Sequence, residues 1–165
     1  MKKHILYALV ENKAGVLARV AGLFSARGFN IDSLAVGETE DPRFSRMTIV
    51  VSGDDAVLEQ VRKQLDKLVN VVKVQDFSGV SVVERDLLLT RVTVPAEKRG
   101  QVLELVQVFR ARVVDVGHSE MIIEAAGTED KIEALLDLLR PYGIVEMART
   151  GRVALARAER GGSQS

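Results

Sequence analysis

The chain contains no cysteine. Disulfides, thiolate chemistry and the commonest zinc frameworks are therefore absent, and His4 and His118 are the only imidazoles available as ligands. A secreted module stapled by disulfides is excluded. Neither sign of charge is in excess. Lys plus Arg and Asp plus Glu stand at 23 each, so nothing draws the protein generally to phosphate backbones or anionic lipid. Aromatic residues make up only 4%, too few for the base-stacking platform of an RNA-recognition sheet. Long apolar runs are missing too. In MKKHILYALVENKAG the apolar stretch is cut by Glu11, Asn12 and Lys13, far short of the roughly 20 residues that span a bilayer. It reads as the first strand of a cytoplasmic protein with no membrane partner.

Catalytic signatures are equally scarce. The chain shows no P-loop, no nucleophile elbow and no readable serine, histidine and carboxylate set. His4 and His118 lie far apart in sequence, and His118 falls in an expected hairpin turn. The acidic patches ETED, DD and TED sit at loops and helix starts, where acids are favoured for helix-dipole reasons. No metal site and no enzymatic activity of its own are expected of this chain.

What is present is periodicity. HILYALV is a short apolar run suited to a strand covered on both faces. Val16, Val20, Leu23 and Phe24 then recur at helical spacing, and Gly28 supplies a stop. FNIDSLAVGET and SRMTIVVSG read as two strands of a hairpin whose EDPRF connection carries Pro42. Leu58, Val61, Leu65 and Leu68 mark a second helix, with Asp54 and Asp55 at its positive end, and VVKVQDF closes the unit as a strand. The order is βαββαβ in fewer than eighty residues, which predicts an antiparallel four-stranded sheet with two helices on one face.

After SGVSVVE the pattern starts again. LLLTRVTV is a strand, Val102, Leu105, Val106 and Phe109 have helical spacing, and RVVDVG with EMIIEAAG forms a second hairpin. Ile132, Leu135, Leu136 and Leu139 mark a fourth helix ended by Pro141, and GIVEMART is the last strand. The expected fold class is thus α+β, two tandem βαββαβ ferredoxin-like units over residues 1–78 and 79–165. The small, polar end of the chain from about residue 159 is expected to be disordered.

The two units differ at their first turn. The first has ENKAG, with Asn12 and Gly15, where the second has PAEKRG. At the carboxyl end of strand one, the free N–H groups of Gly15, Val16 and Leu17 favour an anion, and a residue without Cβ lets a ligand approach closely. Asn12 can cap the helix or offer its side-chain amide to a bound group. The same residues also serve as ordinary turn and cap chemistry. A second asparagine, Asn30, opens the next strand from the opposite end of the first helix, so only a neighbouring protomer could bring the two together.

ENKAGVLARVAGLFSARGFNIDSL, DPRFSRMTIVVSGDD, QLDKLVNVVKV, VERDLLLTRV and GTEDKIEALLDLLRPYGIVEMARTG together resemble the regulatory small subunit of acetohydroxyacid synthase, or acetolactate synthase. The resemblance covers nearly the whole chain, and the first unit looks like an ACT domain. It implies a homodimer whose ACT domains pair into one sheet and bind valine between protomers. It also implies activation of a catalytic large subunit, with feedback inhibition in branched-chain amino acid biosynthesis. Thiamine diphosphate, Mg and FAD would belong to that large subunit, and this chain would bind no cofactor. Asn12, Gly15 and Asn30 match the family's effector positions, with Ala14, Val16, Leu17 and Ile31 beside them. The resemblance places the valine carboxylate on the N–H groups from Gly15 onward, its ammonium on Asn12 and the Asn30 carbonyl, and its side chain against Leu17 and Ile31. Ala14 stands where some family members carry serine. The second unit resembles the family's C-terminal domain, which contacts the catalytic subunit. A freestanding amino-acid sensor or protein-interaction module for another biosynthetic enzyme is the alternative.

Overall fold

The computed structural model describes residues 2–159, and the tail expected to be disordered lies almost wholly outside them. Two compact units are formed, one from residues 2–83 with 153–159 and the other from residues 84–152.

In the first unit, β1 (Lys3–Glu11), β2 (Asn30–Glu38), β3 (Phe44–Ser52) and β4 (Val71–Asp76) form a sheet in the order β2-β3-β1-β4. All three pairings are antiparallel. The apolar run of β1 divides by parity, as strand geometry requires. Leu6, Ala8 and Val10 join the core under the helices, while Tyr7 packs on the opposite face with Ile5 and Leu9. Both faces of the strand are therefore covered, which is why its sequence is apolar throughout. The helices α1 (Val16–Ala26) and α2 (Asp55–Asp66) bury Val16, Val20 and Phe24, and Leu58, Val61 and Leu65, against Met47, Ile49 and Val51 of β3. Asp54 caps α2, its carboxylate accepting from the Ala56 N–H at 2.7 Å. Helix α1 stops at Gly28, whose φ of 75° lets the Gly28 and Phe29 N–H groups bond back to Ser25 and Phe24.

The second unit repeats the plan with most of β5 (Val82–Thr93), α3 (Arg99–Val108), β6 (Arg112–Val116), β7 (Glu120–Gly127), α4 (Glu129–Leu139) and most of β8 (Ile144–Ala156), the first residues of β5 and the last of β8 belonging to the first unit. Its sheet runs β6-β7-β5-β8. Leu88, Val92, Val102, Val106, Ile123 and Ile132 are at the centre of its separate core. The tandem ferredoxin-like expectation is met in both units.

Two strands are longer than their apolar patterns suggest. β5 begins at Val82, ahead of LLLTRVTV, and β8 continues to Ala156, past GIVEMART. The extra length is laced by charge. Arg149 donates to the buried Asp86 at 2.7 Å and to Glu133 at 2.6 Å, and Arg152 pairs with Glu84 and Glu129. Such pairs join residues distant in sequence, so hydrophobic periodicity does not register them.

Arg110 closes α3 where Gly28 closes α1, yet it does so with a side chain at φ 53°. Left-handed backbone costs an L-residue about 1–2 kcal/mol. Arg110→Gly is expected to raise stability by about 1 kcal/mol, read as a higher urea midpoint at unchanged slope. A lower midpoint would mean that the Arg110 side chain contributes more than its backbone strain removes.

Candidate functional site

The loop between β1 and α1 is built as a braced arch. Glu11 N–H donates to the Asn70 carbonyl and Asn12 N–H to the Arg43 carbonyl, each at 2.8 Å. The Asn70 amide donates to the Glu11 carboxylate at 3.1 Å and accepts from Arg19 of α1 at 3.0 Å. Lys13 sits 3.0 Å from Glu11. The Lys13 hydrogen bond, then that of Asn70, holds the Glu11 carboxyl below the usual carboxylate range. Asn70 and Arg19 escaped the sequence reading because a hydrogen bond linking positions 51 apart leaves no local pattern.

Within this arch Asn12 does not cap α1. Its side-chain amide donates to the Pro42 carbonyl in the β2–β3 connection at 3.2 Å, leaving its own oxygen as a free acceptor. The N-cap is Gly15, with φ 85° and no side-chain hydrogen bond to the helix start. A Cβ built on Gly15 would meet nothing within 4 Å. Glycine is thus required by the left-handed backbone, and the space beside it is open. Ala14 and Leu17 are exposed on the same loop and first turn, while the Val16 side chain is buried and only its N–H faces the opening. The uncapped N–H groups of the helix start suit a carboxylate, with Lys13, paired to Glu11, and Arg19, bound to Asn70, in the same loop and first turn.

Asn30 and Ile31 are elsewhere. Asn30 pairs with Ser52 at the far end of β3, whereas Asn12 adjoins its start at Arg43, a separation of about 30 Å along the strand. Asn30 donates to Asp32 at 3.3 Å, and Asp32 accepts from Ser52 at 2.7 Å. These residues line a cleft of about 400 Å³ with Phe29, Gly53 and Asp54. Ile31 lies half-buried against the helix-side core, with Val51 as its strand partner. The residues singled out in the sequence therefore fall in two separate places on one chain. The opening at Gly15 holds Asn12, Ala14, Val16 and Leu17, and the cleft at Asn30 adjoins Ile31.

Gly53 is a residue the sequence did not single out. A Cβ there would overlap the ring of Phe29, which lies edge-on to Phe24 with centroids 6.4 Å apart. Gly53→Ala is expected to cost about 1–3 kcal/mol by forcing the ring from its seat. An unchanged denaturation midpoint would show that the ring yields freely.

The corresponding turn of the second unit is organised differently. A 3₁₀ turn, Ala96–Lys98, precedes α3, and Arg99 donates to the Gly117 and His118 carbonyls at 2.7 and 2.8 Å. A cation thus ties its hairpin where Asn12 ties the first. His4 and His118 fall in different units. His4 is buried, its Nε2 3.1 Å from Asp55 and its Nδ1 3.2 Å from Ser78, while His118 is exposed. Among the described residues no group of three or more His, Asp or Glu could hold a metal, and no helix is long and apolar enough to cross a membrane.

Fold and site together define a class: a tandem ferredoxin-like protein whose first unit is an ACT domain with an open helix start. A family model described as an acetohydroxyacid synthase small subunit-like ACT domain matches residues 6–73, and one described as the small subunit of acetolactate synthase matches residues 85–158. A probable acetolactate synthase small subunit from Archaeoglobus fulgidus is 59% identical over 96% of this chain and 99% of its own length. An acetolactate synthase small subunit from Mycolicibacterium smegmatis is 55% identical over 96% of this chain and 93% of its own. The crystal structure of the acetolactate synthase small subunit from Thermotoga maritima superposes with a TM-score of 0.88 at 42% identity, covering 97% of this chain and all of that one. The chain belongs to the acetolactate synthase small-subunit family.

Proposed function

We propose that this chain is the regulatory subunit of a cytoplasmic acetolactate synthase. It binds and activates a catalytic large subunit that carries thiamine diphosphate, Mg and FAD, and it conveys feedback inhibition by valine. The observation that carries the reading is the start of α1, left without a side-chain cap and flanked by Lys13 and Arg19. An amino acid matches that chemistry. Its carboxylate meets the N–H groups of Gly15, Val16 and Leu17, and its ammonium meets the Asn12 oxygen left free by the bond to Pro42.

In this reading the effector lies between two copies of the chain. The Asn30 half-site is too distant to serve the Gly15 opening of its own chain, and β2, on which Asn30 sits, is an edge strand of nine residues. Pairing of that edge with a second copy extends the sheet and can bring Asn30 and Ile31 of one protomer toward Asn12, Gly15 and Leu17 of the other. The first unit thus serves effector binding and dimerisation. The second keeps the scaffold, has a cation at the equivalent turn, and is assigned to gripping the catalytic subunit.

The direct test is co-purification with the catalytic subunit, followed by activity assays with and without valine. Activation by the added chain, and inhibition only in its presence, is the expected result. Binding of valine without any effect on the large subunit would instead mark a freestanding sensor. Sedimentation should show a dimer at micromolar concentration. A stable monomer with and without valine would remove the shared site.

A further inference from the structure

We propose that Arg46 and Tyr7 clamp residues 153–157 onto the first sheet as a releasable strap, and that seating of this strap carries effector occupancy away from the loop at Gly15. The relay rests on the effector reading above, whereas the clamp stands on geometry within the first unit, to which residues 153–159 belong.

Arg46 projects from β3 on the face away from the helices. Its guanidinium lies over the Tyr7 ring at 3.9 Å from the centroid, and its Nη2 donates to the Ala154 carbonyl at 2.9 Å. Tyr7 packs on Phe77 with centroids 5.3 Å apart, and Ala154 completes this buried cluster. Beyond it, the Arg157 N–H donates to the Ser81 carbonyl at 3.0 Å. One cation, stacked on one aromatic ring, thus receives the backbone of a segment 108 residues away.

The grip is slight in the way a releasable element requires. Residues 153–156 keep their place in β8 beside β5, but the flanking apolar residues Val153 and Leu155 are 50% and 61% exposed, so the strap's apolar anchor in the cluster on the first sheet is the single methyl of Ala154, at 4%. Segments with few buried apolar contacts are the first to open.

The clamp is also joined to the candidate effector loop by a short rigid path. Arg43 accepts the Asn12 N–H, and Arg46 follows three residues later on the same strand, paired with Leu9 of β1 and Gly37 of β2. A shift of the loop on binding a carboxylate moves the start of β3, and Arg46 with it. The strap is the end of β8, whose earlier residues from Ile144 belong to the second unit. Release or seating therefore acts on a strand shared with the unit assigned to the catalytic partner. Arg46 is a positioning residue and touches no ligand.

The test uses the full chain, alone and in the holoenzyme. Arg46→Met removes the donor, Ala154→Asp places a charge against Tyr7 and Phe77, and Tyr7→Phe retains the ring beneath the guanidinium. Trypsin cleavage after Arg157 reports strap opening, calorimetry reports valine binding, and the holoenzyme assay reports activation and inhibition. Arg46→Met and Ala154→Asp are expected to speed cleavage about tenfold, since cleavage follows the population of the open form. Both are expected to bind valine and activate as wild type does while inhibition weakens about tenfold, with Tyr7→Phe indistinguishable from wild type. Cleavage at the wild-type rate in both variants overturns the clamp. Faster cleavage with wild-type inhibition overturns the relay. A wild-type chain that neither binds valine nor responds to it overturns the effector reading and the relay together, a result recognisable before any variant is made.

Discussion

Gly15→Asp is expected to abolish valine inhibition of the holoenzyme while leaving activation in place. The new carboxylate would occupy the opening at the start of α1, where the effector's own carboxylate binds in the proposed function. Like charges about 4 Å apart repel by roughly 1 kcal/mol in water and roughly 4 kcal/mol near a protein surface. A loss of affinity of about 100-fold, or about 2.8 kcal/mol, lies within that range. Coupling between sites is typically only about 1–3 kcal/mol, so such a loss silences feedback without any change of fold. The structural cost is limited because nothing lies within 4 Å of a Cβ at Gly15. What remains is the left-handed backbone at φ 85°, about 1–2 kcal/mol for an L-residue and less for Asp or Asn.

Gly15→Asn separates charge from turn geometry. It carries the same backbone strain without the charge, so it should melt like Gly15→Asp and keep much of the valine response. If glycine serves only the turn, both variants fail alike, with weak dimerisation and poor activation. A Gly15→Asp chain that melts normally and binds valine normally would defeat the assignment.

Phe24→Ala is expected to give the largest loss of stability, about 3–5 kcal/mol for removing a fully buried phenyl ring. Phe24 has no exposed surface and meets edge-on the ring of Phe29, the same ring that a Cβ at Gly53 would overlap. Its core is distinct from that of the second unit. Calorimetry should therefore show the transition of the first unit falling in temperature, with the second less affected. A loss below about 1 kcal/mol would mean that the cavity collapses around the deletion.

The sequence carried most of the architecture because both cores are written in short-range spacing. Val16, Val20 and Phe24 mark one face of a helix, and Leu58, Val61 and Leu65 another, with no knowledge of partners required. What it did not carry depends on partners distant along the chain. The cap proved to be Gly15 itself, since the helix begins only at Val16, and the Asn12 amide bonds instead to Pro42, thirty positions on. Asn70, Arg19 and Gly53 have no local signature, and the full lengths of β5 and β8 rest on arginine–carboxylate pairs that apolar periodicity ignores. The separation of Asn12 from Asn30 was legible, since a helix and a strand of known rise stand between them.

The return of residues 153–159 to the first unit sets an order for assembly during synthesis. Arg46 must wait for Ala154, 108 positions later, which at about 5–20 residues per second is an interval of roughly five to twenty seconds. Through that interval the nascent first sheet carries Tyr7 and Phe77 without the segment that later packs on them. The second unit, complete at Arg152, has nearly all of its chain available before the first is finished. A ribosome paused shortly before codon 153 would therefore hold an apolar sheet face open to chaperones, or to another nascent copy of the same chain.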